Sequence, residues 1–141
     1  MARAVREDRL TQELVITSDL KAARQAERVV LEELARKGYT PSATFAIRLA
    51  LEEGLNNAIN HGNRRHPGRN VRIAFDVDEK RTSITITDEG KGFDPSKVPD
   101  PTADENLEKP SGRGIMLIRS YMDEVKFNDR GNEVRMVKRN E

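Results

Sequence analysis

The spacing of apolar residues divides the chain into helical and extended stretches. Leu14-Val15-Ile16-Thr17 is a short apolar run and predicts a strand. Ser18 or Asp19 can then cap a helix whose apolar residues Leu20, Ala23, Ala26, Val30, Leu31 and Leu34 recur at near-helical spacing, and Gly38 ends it. A second helix starts near Pro41, a residue suited to a first helical turn. Phe45, Ile47, Leu49, Leu51, Leu55, Ala58 and Ile59 make it apolar over a wide arc, which predicts burial. Gly62 and the segment Asn63-Arg64-Arg65-His66-Pro67-Gly68 close it. The period then shortens to two: Val71, Ile73, Phe75 and Val77 alternate with polar neighbours, as do Ile84 and Ile86. Asp78-Glu79-Lys80-Arg81 is the expected hairpin turn. A helix from about Arg113 to Met122 and two strands, 124–128 and 133–138, follow, with Gly131-Asn132 at the turn between the strands.

The order β-α-α-β-β-loop-α-β-β predicts an α+β fold. Its expected form is a two-layer sandwich, a mixed, mainly antiparallel sheet of about five strands with helices packed on one face. Residues 1–10 read as a flexible N-terminus and 11–141 as a single domain. Residues 93–111 carry four prolines, many charges and little apolar material. A connection of that length inside a domain points to a functional segment.

Composition narrows the function classes. Charged residues are 35% of the 141 and nearly cancel to a formal +1, so no global field draws the chain to nucleic acid or to a membrane. The basic residues Arg135, Lys138 and Arg139 read as a solvated strand edge. There is no cysteine, which excludes disulfides, thiolate chemistry and cysteine-bound zinc. No apolar run approaches the roughly 20 residues that cross a bilayer. Met1 to Leu10 has no apolar signal-peptide core, so a cytoplasmic location is expected.

Three short motifs carry chemistry. In Glu53-Gly54-Leu55-Asn56-Asn57-Ala58, Glu53 and Asn57 are four apart and share a helix face about 6 Å along the axis. A carboxylate and an amide oxygen there are hard ligands of the kind Mg2+ takes, and the carboxylate can deprotonate an attacking hydroxyl. Asn56 and Asn60 extend this polar strip on an otherwise apolar helix, and His61 lies at its end as a hydrogen-bonding or capping residue. In Asp88-Glu89-Gly90-Lys91-Gly92, a carboxylate at a strand end can accept from an exocyclic amine such as adenine N6, beside glycines that let backbone approach a flat ring. In Ser111-Gly112-Arg113-Gly114, a glycine turn is expected to open a helix whose backbone N–H groups attract phosphate, with Arg113 adding charge. Taken alone, each also reads as an ordinary polar helix face, strand-end turn or helix entry. Neither a Walker A loop nor the Rossmann glycine fingerprint is present.

In this order and spacing the motifs resemble those of the Bergerat-fold ATP-binding domains shared by DNA gyrase, sensor histidine kinases and bacterial anti-sigma-factor serine kinases. The resemblance spans about residues 11–139. The compact size and Tyr121-Met122-Asp123-Glu124-Val125 after the third motif most resemble the anti-sigma-factor kinase branch. It implies Mg2+ coordination by Asn57, Glu53 as general base and Asp88 as the adenine reader. It also implies an ATP lid at about 93–111, and nucleotide contacts from Asn60, His61, Gly90, Gly92, Phe93, Gly112, Arg113, Gly114 and Ile115. The implied partners are an anti-anti-sigma factor phosphorylated on serine and a sigma factor, with homodimers common in the family. One departure concerns the C-terminal Gly-Thr-Thr-Val run of the family. Here it is Gly131-Asn132-Glu133-Val134, and the missing hydroxyl bears on the adenine contact. Two other functions fit the same motifs: a nucleotide-gated binding module without catalysis, and a detached histidine-kinase catalytic domain.

Overall fold

The computed structural model describes residues 11–90 and 110–141. The expected flexible N-terminus, and the expected lid up to residue 109 with Gly92 and Phe93, lie outside the described residues. Strand β1 (Gln12–Thr17) is followed by helix α1 (Leu20–Arg36) and helix α2 (Pro41–Asn56). The latter runs directly into a π-helical segment, Asn57–Gly62. Strands β2 (Asn70–Val77) and β3 (Arg81–Thr87), helix α3 (Pro110–Tyr121) and strands β4 (Glu124–Phe127) and β5 (Glu133–Arg139) complete the order.

Local chemistry sets these boundaries. Asp19 caps α1 by accepting the Ala22 N–H at 2.8 Å. The helix ends in a Schellman arrangement: Gly38 sits at φ 72°, its N–H bonds Ala35 O, and Tyr39 N–H bonds Leu34 O. Thr40 caps α2 with Pro41 in the first turn. Asp78 closes the β2–β3 hairpin, its Oδ1 accepting from the backbone N–H of Lys80 and Arg81.

The five strands lie in the order β1-β2-β3-β5-β4, and every pairing is antiparallel. The register Leu14↔Ile73↔Ile86↔Val134↔Phe127 puts one apolar residue from each strand on the same face. The helices cover that face, with Val30 and Leu34 of α1, Ile47, Leu51 and Leu55 of α2 and Ile118 of α3 buried in the core. This agrees with the expected two-layer α+β architecture; the described sheet is antiparallel throughout rather than mixed.

Three expectations need correction. Strand β5 is flanked by β3 and, over Val134–Val137, by β4, so Arg135 does not mark a sheet edge, while Lys138 and Arg139 lie past the last pairing with β4. Arg135 and Arg139 stand on the uncovered sheet face, and Lys138 lies 3.7 Å from the Asp123 carboxylate. Phe45 is 48% exposed. The buried stripe of α2 runs through Ala43, Ala46, Ile47, Ala50 and Leu51, and Phe45 falls off it to meet Tyr121 edge-on at 5.7 Å. The third helix begins at Pro110, so Gly112 and Gly114 lie inside its first turns instead of preceding it.

The β4–β5 turn is organised by one side chain. Asn128 Oδ1 accepts from the N–H groups of Gly131, Asn132 and Glu133, and its Nδ2 donates to Asn132 Oδ1 at 2.8 Å. Asn128→Ala strands these groups and is expected to cost about 2 kcal/mol. Differential scanning calorimetry should show the melting temperature falling by about 5 °C.

Candidate functional site

The first motif ends α2 and opens the π-helical segment. Glu53 lies in the last turn of α2 and Asn57 is the first π-helical residue; both side chains are half-buried. The widened turn is kept by Asn63 N–H bonding Ala58 O and Arg65 N–H bonding Ile59 O. Arg64 and Arg65 follow with φ of 51° and 56°. Two consecutive non-glycine residues in the left-handed region cost about 1–2 kcal/mol each. Such strain and π-helical turns both concentrate at functional sites.

Glycine contacts measure how closely the motifs approach one another. A Cβ built on Gly114 would lie 3.4 Å from Asn57 Nδ2, 3.6 Å from Asn57 Oδ1 and 3.7 Å from Glu53 Oε2. The third motif therefore rests directly on the carboxylate and amide of the first. A Cβ on Gly62 would lie 2.3 to 2.6 Å from the Asp88 carboxylate atoms, and one on Gly90 only 2.0 Å from Gly62 O. The second motif thus packs on the far end of the π-helical segment that Asn57 begins. Glu53, Asn57 and Gly114 are thus brought together at the start of the π-helical segment, and Asp88 and Gly90 at its end.

The remaining expected residues divide. Asn60 Oδ1 accepts from Arg65 Nε at 2.6 Å, so it is engaged in the loop. His61 is exposed. Ile115 is buried at 3% exposure. Gly112 and Arg113 lie in the first turn of α3.

Asp88 is held from two sides. Its N–H donates to Asn132 O at 2.9 Å, and Asn132 Nδ2 returns a bond to Asp88 O at 2.9 Å. Gly90 N–H donates to Asp88 Oδ1 at 2.8 Å, and Arg130 Nη2 donates to Gly90 O at 3.1 Å. Burial raises the Asp88 pKa above its ordinary value, against the Gly90 N–H and the charges of Arg130 and Arg69. The run lacking threonine is occupied differently: Asn132 bonds the Asp88 backbone, and Glu133 accepts from Thr87 Oγ1 at 2.8 Å. Asn63, Asn128, Arg130 and Asn132 are supports of the candidate site that the motif reading missed. Only the turn signal at Gly131-Asn132 pointed toward any of them, since asparagine in a turn commonly bonds nearby backbone.

Residues 16–138 match the family described as the histidine kinase-like ATPase domain. The chain is 30% identical over 109 residues to the serine-protein kinase RsbW of Oceanobacillus iheyensis, covering 72% of this chain and 69% of that protein. It is 32% identical over 121 residues to the serine-protein kinase RsbW of Bacillus subtilis, covering 79% and 74%. The crystal structure of the RsbU and RsbW domains of a Mycobacterium tuberculosis protein aligns with TM-score 0.55 at 18% identity. That alignment covers 93% of this chain but 32% of the larger one, and it supports the fold alone.

Beside Glu53 lies a second pair of acids. Glu27 of α1 and Glu52 of α2 share a hydrogen bond in a groove of about 770 Å³ between the two helices. Burial, with the Glu52 charge and this bond, pushes the Glu27 pKa up to about 7, against Arg48 and Arg24. Burial also raises the Glu53 pKa, with the Glu52 charge adding to it. A carboxyl whose folded pKa exceeds its unfolded value binds its proton more tightly when folded. Its effect is to lower stability as pH rises from the ordinary carboxylate value, 4.5, to about 7. Glu27→Gln is therefore expected to stabilise the protein at pH 8 and to lose that advantage near pH 4.5, measured by urea denaturation at each pH.

Proposed function

This chain belongs to the histidine kinase-like ATPase domain family, in the branch of the RsbW serine-protein kinases, and from that premise we propose how its residues act and on what. It is an ATP-dependent protein serine kinase of the anti-sigma-factor type. The proposed substrate is a serine on an anti-anti-sigma partner, and in the alternative nucleotide state the protein holds a sigma factor. Its expected setting is the cytoplasm; among the described residues, no helix is long and apolar enough to cross a membrane.

The observation that carries the catalytic reading is that Gly114 faces both Asn57 and Glu53, so that a Cβ there would already stand in van der Waals contact with them. A side chain on α3 would fill the space over the amide and carboxylate, and glycine leaves it open. The donor set fits Mg2+, which takes hard oxygens and keeps other positions for water and phosphate. Asn57 Oδ1 would hold the ion, whose part is to neutralise charge on the phosphates. The N-terminal turns of α3 offer backbone N–H groups on the same side. Glu53 accepts the proton of the incoming serine hydroxyl. Its raised pKa suits that role, because a base is most effective when its pKa approaches the working pH. Asp88 holds the adenine amine through its carboxylate, at the opposite end of the π-helical segment.

Glu53→Gln keeps the shape and removes the base. Transfer from radiolabelled ATP to the partner's serine is expected to fall by about 10²- to 10⁴-fold. Nucleotide affinity by calorimetry should stay within about threefold, since Glu53 acts on the attacking hydroxyl and not on the nucleotide. Unchanged transfer in this variant would remove Glu53 from catalysis. If regulation of the sigma factor persisted without any transfer, the non-catalytic module would be the better reading.

A further inference from the structure

One fully buried polar side chain takes no direct part in this chemistry. Asn63 is 0% exposed, and its amide makes three bonds in different directions. Its Nδ2 donates to Ser18 Oγ and to Asn70 O, each at 2.9 Å, and its Oδ1 accepts the Glu89 N–H at 2.8 Å. Ser18 Oγ in turn donates to Arg69 O at 2.6 Å. Glu89 Oε1 accepts the Asn70 N–H at 3.0 Å, closing the circuit. The entry to α1, the start of β2 and the peptide after Asp88 thus meet at a single side chain.

We propose that Asn63 is the positioning residue that sets base selectivity, by holding the Asp88–Glu89 peptide at the height where the Asp88 carboxylate meets a base amine. This rests on the reading of Asp88 as the adenine contact. The geometry connects the two residues twice. The carboxylate leans on Gly62, the residue before Asn63, and the Asn63 N–H closes the π-helical turn on Ala58 O at 2.8 Å. The backbone of Asn63 therefore fixes the floor beneath the carboxylate, while its side chain fixes the peptide beyond it. The role needs a short side chain with a double donor and an acceptor, which an asparagine amide supplies. The left-handed residues Arg64 and Arg65 reverse the chain directly afterwards, leaving Asn63 between the π-helical segment and β2. Asn132 grips the carbonyl of the same peptide from the opposite side, while its Glu89 N–H depends on Asn63 alone among the described residues.

The test compares ATP with inosine triphosphate, which carries a carbonyl where ATP has the amine. Dissociation constants are measured by calorimetry on the full chain with Mg2+, below the melting temperature of each variant. Asn63→Ala is expected to weaken ATP about tenfold and inosine triphosphate by less than about threefold, so that the preference for ATP collapses. Ser18→Ala removes a support on the far side without touching the Glu89 peptide, and it should lower the melting temperature while keeping the preference. If Asn63→Ala behaves like Ser18→Ala, the positioning role is overturned. Asn63→Ser keeps a small polar group in place of the amide and covers the case in which the alanine variant does not fold. Its preference should collapse as in Asn63→Ala, and a preference kept within about threefold of the parent overturns the proposal. Asp88→Ala separates the two levels. A preference lost in Asp88→Ala but kept in Asn63→Ala defeats the Asn63 role alone. A preference that survives Asp88→Ala defeats the adenine reading and the inference built on it.

Discussion

The site depends on the close approach of two chain ends: the finish of the π-helical segment at Gly62 and the finish of β3 at Asp88. There is no room for a side chain at either glycine in this contact. A Cβ on Gly62 would sit inside the Asp88 carboxylate, and a Cβ on Gly90 would sit on Gly62 O. Removing those carbons lets a helix end and a strand end touch, and with them the Glu53–Asn57 and Asp88 halves of the candidate site. The α2–α3 packing then adds the third motif through Gly114. The sheet and helix layer supply a rigid frame for this junction. Ile73, Ile84, Ile86 and Met136 on the sheet and Ile47, Leu51 and Leu55 on α2 are all nearly or fully buried. Each such side chain contributes about 1.5–3 kcal/mol on burial.

Features unfavourable to folding are gathered at the same junction. Arg64 and Arg65 occupy the left-handed region, the helix widens to π geometry, and the carboxyls of Glu53 and Asp88 are partly stripped of water. A fold can hold such features where neighbouring packing over-determines them, and they persist where function needs them. Here the determinants are specific. Asn63 satisfies three polar groups at the reversal, and Asn132 and Arg130 secure the Asp88–Gly90 turn from the β4–β5 side. No described buried side-chain polar atom lacks a partner, so the strain is not compounded by an unsatisfied group.

Much of this was legible in the sequence because it follows from local rules. Alternation in Val71–Val77 marked β2, the Ser18-Asp19 pair and Pro41 marked helix starts, and Gly38 marked a helix end. Glu53 and Asn57 could be paired by helical spacing alone, and they do converge with Gly114. What escaped depends on where distant segments meet. Strand order is not encoded in periodicity, so basic residues on β5 looked like an edge although the strand inserts between β3 and β4. The apolar stripe of α2 was drawn too wide at Phe45, because the partner that covers one edge of that ring, Tyr121, lies on another helix. Asn63 looked like one more loop residue in a Gly/Pro segment, and its burial arises only once Ser18, Asn70 and Glu89 surround it. Glycines at 112 and 114 suggested a turn before α3, whereas the helix begins earlier, at Pro110, a residue favoured in a first helical turn.

The two carboxylates of the site illustrate how a shared burial effect can serve different chemistry. Desolvation raises both Glu53 and Asp88. Around Asp88, the Gly90 N–H and the charges of Arg130 and Arg69 oppose that rise without cancelling it. Around Glu53 the neighbouring Glu52 charge acts in the same direction as burial. What separates them is position: the π-helical segment keeps them apart in space, with Glu53 before its start and Asp88 against its end. On the proposed reading, a proton accepted by Glu53 appears at the end of the π-helical segment away from the base-reading carboxylate.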